Sequence, residues 1–334
     1  MPILNFGFDI KKQQQHSSQI SPPLFVTFTF LNMDLVGKQE DQQGVIMCDG
    51  FSNEAGMGHA LPMDEKFSTT QPYHNGKKLL VLMKTSQCIQ FKSLLECLKE
   101  LLTEVNMEFI ENRGIRIVSL DPGKIAMVHL LINDVEYFFA KGTVIAGINM
   151  SFLYRVIRSI SSNDLMEWRI YEDEPHVMHI ELSNNERRTS TINKINLLDL
   201  DELEISIPRV EFDRVVSMPS TDLAKHIREV VTISNFVTIR GTKTTLEFIA
   251  SGDQASSHIT IKPTASGLNW KYSDEMEDIN GTFVARYLEK FCRCSVDTNV
   301  ELFLKNDYPL ILRYELSIGT LRFCIAPVQK EAEN

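Results

Sequence analysis

The chain contains an internal repeat, and this repeat limits its possible folds more than any other feature. An amphipathic helix pattern at 91–105 recurs at 220–231, and a second pattern at 151–160 recurs at 283–294. Each helix pattern leads into strand-forming sequence. One copy covers roughly 120–130 residues, an ordinary domain size. The repeat therefore predicts an α+β chain with two similar domains.

The segment before residue 77 differs from the rest of the chain. It contains QQQHSSQISPP, QEDQQG and STTQPYHNG without sustained periodicity, so residues 1–76 are predicted to be a mostly disordered extension. The repeat then predicts four further units, which are domain 1 at 77–192, a connector at 193–209, domain 2 at 210–329 and a tail at 330–334.

One apolar run near the start bears on membrane association. The run LFVTFTFL at 24–31 is too short to span a bilayer. Pro22 and Pro23 precede it, and no small-residue cleavage site follows closely, which argues against a signal peptide. We expect a soluble, intracellular protein with no membrane partner.

The basic residues are distributed unevenly. The formal net charge is −10, which taken alone argues against nucleic-acid binding. When the four helix patterns are projected at 3.6 residues per turn, however, nine of the 34 basic residues lie away from the apolar faces. They are Lys92, Lys99, Arg155, Arg158, Lys225, Arg228, Arg286, Lys290 and Arg293. Solvated helix faces are often charged, but four repeat-related helices in an acidic chain favour one basic surface that attracts DNA.

The projection also predicts which apolar side chains these helices bury. In the second helix the predicted buried face is Phe152, Val156 and Ile160, opposite the two arginines. In the fourth helix it is Val284, Tyr287 and Phe291, opposite the basic stripe.

The cysteines and carboxylates give no pattern of a catalytic or metal site. The six cysteines show no paired framework, so they are predicted to be reduced thiols packed as small hydrophobes. Asp199 and Asp201 lack a third ligand nearby, and Cys292 and Cys294 lack a second pair. We expect no enzyme activity, no metal and no cofactor.

Several stretches resemble the proliferating cell nuclear antigen family of sliding clamps. They include SLLECLKELL, IRIVSLD, GINMSFLYRVIRS, LLDLDELEISIP, YPLILRYEL and LRFCIAPV, within residues 77–329. The resemblance implies the sliding-clamp fold, with two similar domains, antiparallel sheets outside and short basic helices lining a central hole. It also implies a homotrimeric ring around double-stranded DNA, in which the nine basic residues contact phosphates without reading sequence. The residues before 77 have no counterpart in the family.

The resemblance further implies a pocket for partner peptides beneath the connector. By position the pocket consists of Leu120, Lys124, Leu198, Leu200, Ile207, Tyr308, Pro309, Ala326 and Pro327. Lys124 stands where the family often has histidine. The expected occupants are clamp-binding peptides of DNA polymerase and other clients, and a clamp loader is a further expected partner. Subunits would join by pairing residues 186–195 with residues 257–262 of the next copy.

The function predicted from this resemblance is that of a DNA polymerase processivity factor in replication and repair. The protein would act in the nucleus, or at a viral replication site if the source is a large DNA virus. One alternative is a subunit of a heterotrimeric checkpoint-type clamp, which self-association in solution would disfavour. The other is a DNA-processing enzyme with a basic helical face, which metal-dependent nuclease activity would support.

Overall fold

The computed structural model describes residue 67 and residues 71–201, 210–264, 268–272, 278–294 and 299–328. In the first half the elements are β1 (Tyr73–His74), β2 (Lys77–Thr85), α1 (Cys88–Leu98), β3 (Glu104–Ile110), β4 (Gly114–Leu120), β5 (Ala126–Ile132), β6 (Tyr137–Ala140), β7 (Thr143–Asn149), α2 (Met150–Ile157), β8 (Leu165–Tyr171), β9 (Glu174–Asn184) and β10 (Thr189–Asn196).

The second half repeats this order. Its elements are β11 (Arg214–Pro219), α3 (Ser220–Val231), β12 (Phe236–Gly241), β13 (Leu246–Ser251), β14 (Ser256–Ile261), β15 (Asn269–Tyr272), β16 (Ile279–Val284), α4 (Ala285–Cys292), β17 (Asn299–Leu304), β18 (Leu310–Leu316) and β19 (Gly319–Ile325). No helix in the described part of the chain is long and apolar enough to cross a membrane.

Within the described residues the named strands form three sheets, and all pairings between these strands are antiparallel. The largest sheet has nine strands in the order β15-β11-β17-β18-β19-β5-β4-β3-β7. It continues from one domain to the other through the pairing of β19 with β5. Gly319 begins β19 at φ 148°, and a Cβ there would lie 2.0 Å from the carbonyl oxygen of Leu131. Only glycine permits this approach, so Gly319 helps to join the domains.

The first strand lies inside the segment predicted to be a disordered extension. Residues 73–74 pair with residues 77–78 across a two-residue turn, in which Asn75 and Gly76 both have positive φ. Asn-Gly is the favoured sequence for such hairpin turns, so strand structure begins before the predicted boundary at 77. Apart from residue 67, the extension up to residue 70 lies outside the described residues.

The connector also begins later than predicted. Residues 193–196 continue β10, because they remain paired with β9. Leu198 then crosses onto β7, where its backbone N–H donates to the carbonyl of Gly147 at 2.8 Å. The Asn106 side-chain amide donates to the carbonyl of Asp201 at 3.2 Å. Residues 202–209, including the predicted pocket residue Ile207, lie outside the described residues.

The helices bury most of the apolar faces expected of them, with one clear error in α2. Phe152 is 44% exposed, whereas Leu153 and Ile157 are fully buried. Asn149 caps the N-terminus of α2 by accepting from the backbone N–H of Phe152, and the buried stripe follows from Met150 at helical spacing. Of the predicted face, Ile160 is buried and Val156 is partly buried. In α4 the fully buried residues are Ala285, Leu288, Phe291 and Cys292, and Tyr287 is half-buried.

The prediction that all cysteines are unpaired is wrong for one pair. The structure joins Cys97 in α1 to Cys294, just after α4, in a disulfide with a Cα–Cα distance of 5.4 Å. The two residues are 197 positions apart, so only the arrangement of the two domains brings them together. Cys88, Cys292 and Cys324 are buried thiols, and Cys48 lies outside the described residues.

Candidate nucleic-acid interface and peptide pocket

The four helices in the described part of the chain lie side by side in one layer. Helix α1 packs against α2, and α3 packs against α4. The Cys97–Cys294 disulfide and a hydrogen bond from Lys290 Nζ to the carbonyl of Glu100 (2.8 Å) join α1 to α4. The order across the layer is therefore α2-α1-α4-α3. Because each helix buries its apolar stripe in the core, the opposite faces point outward together.

All nine predicted basic residues lie on this layer, but their exposure differs. Six of them are exposed and three are half-buried; the exposed ones are Arg155, Arg158, Lys225, Arg228, Arg286 and Arg293. Among the described residues, no acidic side chain forms an ion pair with Arg155, Arg158, Lys225 or Arg286. These side chains are available to an anionic ligand.

The other members of the set have partners within the chain. Lys99 forms an ion pair with Glu100 at 2.6 Å, and Arg293 with Glu289 at 3.3 Å. Lys92 Nζ donates weakly to the carbonyl of Ile160 at 3.5 Å. The hydrogen bond from Lys99, with Arg293 and Lys290 nearby, lowers the pKa of Glu100 below its usual value. Exposed pairs of this kind contribute little to stability, so phosphate groups can compete for the cations.

Aromatic rings accompany several of these cations, a feature that sequence reasoning missed. The Arg155 guanidinium lies 5.2 Å from the ring centre of Phe152, and Lys99 Nζ lies 4.9 Å from that of Tyr154. Both distances are within cation–π range. The i, i+3 spacing of Phe152 and Arg155 was the available signal, but Phe152 was assigned to the buried face.

A polar cleft opens beside α2, with a volume of about 520 Å³. Arg155, Arg158 and Arg187 line it together with Asp164, between the end of α2 and the β9–β10 hairpin. The positive surface therefore extends from the helix layer to the edge of the first domain.

A separate apolar cluster lies where the two domains meet. Domain 1 contributes Met127, Val118 and Leu120, and domain 2 contributes Phe212, Val215, Phe303, Ile311, Cys324, Val210 and Tyr308. The rings of Phe212 and Tyr308 meet edge to face at 5.6 Å between centres. Of the predicted pocket residues, the structure brings Leu120 and Tyr308 together here. Sequence reasoning missed Met127, Phe212 and Ile311, although consecutive apolar residues in β5 and β18 indicate burial on both faces.

The cluster does not include the other predicted pocket residues that the structure describes. Leu198 is 38% exposed, whereas Leu200 is half-buried and packs toward Gly147 on β7. Lys124 is exposed at φ 53° in the turn that follows β4. Pro309 and Pro327 are half-buried, and Ala326 is buried with its N–H donating to the carbonyl of Ile125 at 3.1 Å.

Asp121 shapes the loop beside this cluster, and sequence reasoning missed it as well. One carboxylate oxygen accepts from the backbone N–H groups of Ile125 and Ala126, both at 2.7 Å. The other accepts from the N–H of Gly123 at 2.8 Å and from the hydroxyl of Tyr287 in α4 at 2.6 Å. Burial, together with this bond to Asp121, raises the pKa of the Tyr287 hydroxyl. Asp121 therefore ties the loop at 121–126 to the helix layer.

Within the described residues, no group of three or more His, Cys, Asp or Glu side chains has the arrangement of a metal site.

Two family models match the chain: the proliferating cell nuclear antigen N-terminal domain at 81–204 and its C-terminal domain at 206–329. The chain belongs to the proliferating cell nuclear antigen family.

Individual relatives agree with this membership. The chain is 31% identical over 258 residues to "Probable DNA polymerase sliding clamp 1" of Paramecium bursaria Chlorella virus 1. This alignment covers 75% of the chain and 97% of the viral protein. The chain is 25% identical over 251 residues to the proliferating cell nuclear antigen of Chaetomium thermophilum, covering 73% of this chain and 96% of that protein. It is 24% identical over 249 residues to "Proliferating cell nuclear antigen 2" of Drosophila melanogaster, with the same coverage.

Membership in the proliferating cell nuclear antigen family confirms the predicted fold class. Two domains of similar element order, antiparallel sheets and four short helices are the sliding-clamp fold. Clamps of this family act in DNA replication as non-catalytic processivity factors, and a clamp role follows for this chain.

Proposed function

We propose that this protein is a DNA polymerase processivity factor that closes into a homotrimeric ring around duplex DNA. The observation that carries the proposal is the single layer of four helices, whose outward faces hold arginines and lysines in an otherwise acidic chain. In a ring of three subunits, the three helix layers would line the central hole and attract the phosphates of DNA without reading bases. The proposed location is the nucleus or a viral replication site.

Two strand edges support the proposed closure. Strands β10 and β14 each lie at the end of their sheet in the described part of the chain. Ile192 on β10 is 55% exposed, and Ile259 and Ile261 on β14 are partly buried. An unpaired edge with apolar side chains invites another strand, and pairing β10 with β14 of the next copy gives a head-to-tail contact that can close.

Threading provides the direct test of DNA encirclement. A ring without its loader enters duplex DNA only over a free end, so we expect binding to linear duplex with open ends and little binding to closed circular DNA of the same sequence. Blocking both ends of the linear duplex with bulky protein should abolish entry. Equal affinity for the open, blocked and circular forms would contradict encirclement and favour a protein that binds one side of DNA.

The apolar cluster at the domain boundary supports recruitment of polymerase, other clients and a clamp loader. Its core is buried, and Leu198, at 38% exposure, offers an apolar side chain from the connector. A partner peptide with aliphatic and aromatic anchors would gain affinity by covering these groups.

A variant of Leu198 tests this site. Leu198→Asp should weaken binding of a peptide that carries a glutamine, an aliphatic residue and two aromatics by at least about 30-fold, since loss of an anchor is worth about 2 kcal/mol. Leu165→Asp provides a control of similar exposure, 45%, in β8 and should keep the affinity. Unchanged peptide affinity of Leu198→Asp in calorimetry would show that clients dock elsewhere.

A further inference from the structure

The disulfide between Cys97 and Cys294 crosses the boundary between the two domains. Cys97 lies in the last turn of α1, and Cys294 follows α4 by two residues. Both residues are buried, at 4% and 5% exposure, and their Cα atoms are 5.4 Å apart. That separation falls within the usual range for disulfides, so the bond fits the backbone as it stands.

Other contacts hold the two helix ends together independently of the bond. Lys290 Nζ donates to the carbonyl of Glu100 at 2.8 Å, and the carbonyl of Lys290 lies 3.8 Å from Cys97 Sγ. Near the N-terminal end of α4, the Tyr287 hydroxyl donates to Asp121 of domain 1 at 2.6 Å. These contacts do not require oxidised sulfur, so the two cysteines stay close when they are thiols. A pair held close in both states can form and break its bond reversibly.

The neighbouring thiols are poor competitors for this reaction. Burial raises the pKa of Cys292 to about 12, although it is only two residues from Cys294. Burial likewise raises the pKa of Cys88, in the first turn of α1, to about 11. Thiol–disulfide exchange proceeds through the thiolate, and these two thiols have almost none at neutral pH. Among the described cysteines, only Cys97 and Cys294 lie within bonding distance of each other, so geometry selects this pair for the cross-link.

We propose that Cys97 and Cys294 form a redox modification site that reversibly cross-links the two domains within the helix layer. The oxidant is a low-molecular-weight disulfide such as oxidised glutathione. One cysteine thiolate attacks it, which releases one small thiol and leaves a mixed disulfide; the second cysteine thiolate then displaces the other small thiol. Two S–H bonds are lost and one S–S bond forms in the protein, while two electrons and two protons convert the small disulfide into two thiols.

The cross-link changes the mechanics of the subunit. It closes a chain segment of 197 residues, and long closed segments remove the most conformational freedom from the unfolded chain. It also fixes α1 to α4 beside Lys99, Lys290 and Arg293 on the basic layer. The oxidised subunit is expected to melt roughly 5–10 °C above the reduced one. This difference in melting temperature is a property of the single subunit and does not depend on ring formation.

The test uses the full-length protein equilibrated with oxidised or reduced glutathione. Remaining thiols are alkylated under denaturing conditions, and peptides are analysed by mass spectrometry without reduction. The oxidised sample should contain one linked peptide holding Cys97 and Cys294, while Cys88 and Cys292 are alkylated. Recovery of both Cys97 and Cys294 as alkylated thiols from the oxidised sample would overturn the proposal, and this readout needs no variant.

Thermal melting supplies the second readout. The difference in melting temperature between oxidised and reduced protein should vanish in Cys97→Ala and in Cys294→Ala. It should persist in Cys88→Ala, which removes another buried sulfur from the same helix. A redox-dependent difference that survives in Cys97→Ala would assign the effect to other cysteines and reject the cross-link.

Discussion

Replacing Asp121 with asparagine tests the contacts that hold the loop at 121–126 against the helix layer. The substituted side chain retains one carbonyl oxygen, which can still accept from the backbone N–H groups of Ile125 and Ala126. Its new NH2 group, however, faces the N–H of Gly123 and the hydroxyl of Tyr287, both of which donate to the carboxylate in the native protein. Two hydrogen bonds to a charged acceptor are lost at a site that is 4% exposed.

The expected loss follows from those two bonds. Hydrogen bonds to charged groups contribute about 1.5–3 kcal/mol each, so Asp121→Asn should lower the free energy of unfolding by about 3–6 kcal/mol. Tyr287→Phe removes only one of the two bonds and should cost about 1.5 kcal/mol. Urea unfolding followed by circular dichroism measures both, and the double variant should show a coupling energy of about 1–2 kcal/mol. Full additivity of the two changes, or a neutral Asp121→Asn, would refute the proposed network.

Three further predictions concern DNA, assembly and pH. Replacing Arg286, Lys290 and Arg293 together by alanine should weaken duplex binding and reduce its salt dependence, because fewer phosphates are neutralised. Ile259→Asp should give monomers instead of the proposed trimer in size-exclusion chromatography, since it would place a charge at the β14 edge where the proposed strand pairing occurs. Burial, with Arg322 and Arg116 nearby, lowers the pKa of His129 to about 4, so the protein should lose up to about 3 kcal/mol of stability as the pH falls from 6.5 to 4.

The sign of the pH effect follows from proton uptake. Between pH 6.5 and 4 the folded His129 stays neutral while the unfolded chain binds a proton there, so acid favours unfolding. His129→Gln should flatten the dependence of stability on pH in this range, and an unchanged slope would show that other groups dominate. An Ile259→Asp protein that still runs as a trimer would contradict the assignment of β14 to the subunit interface. If the alanine variant of Arg286, Lys290 and Arg293 binds duplex with the wild-type salt dependence, these three residues do not contact DNA.

The periodic features of the chain were predictable from its residues. The helix pattern at 91–105 predicted α1, which buries Phe91, Leu94, Leu95 and Leu98 but ends at Leu98, before the end of the pattern. Such apolar spacing is a local property, and the repeat predicted two domains of the same order for a similar reason. Phe152 was misassigned because the start of α2 at the Asn149 cap sets which residues face inward.

Features that depend on long-range contacts were not predictable. Cys97 and Cys294 meet only because β5 and β19 join the two domains into one sheet. The bond between Asp121 and Tyr287 spans 166 residues for the same reason. Membership of the apolar cluster at the domain boundary depends on burial of both faces of a strand, which periodicity reports poorly for short runs. The family resemblance supplied Leu120 and Tyr308, and the packing added Met127 and Phe212.

The mass of the full-length protein in solution tests the central proposal most directly, because a ring requires three copies. Light scattering coupled to size-exclusion chromatography at micromolar concentration should give about 115 kDa, three times the 38.2 kDa of one chain. The value should stay constant over a tenfold dilution if the interface is stable. A mass near 38 kDa throughout that range would contradict the homotrimer and favour a subunit that needs different partners to close a ring.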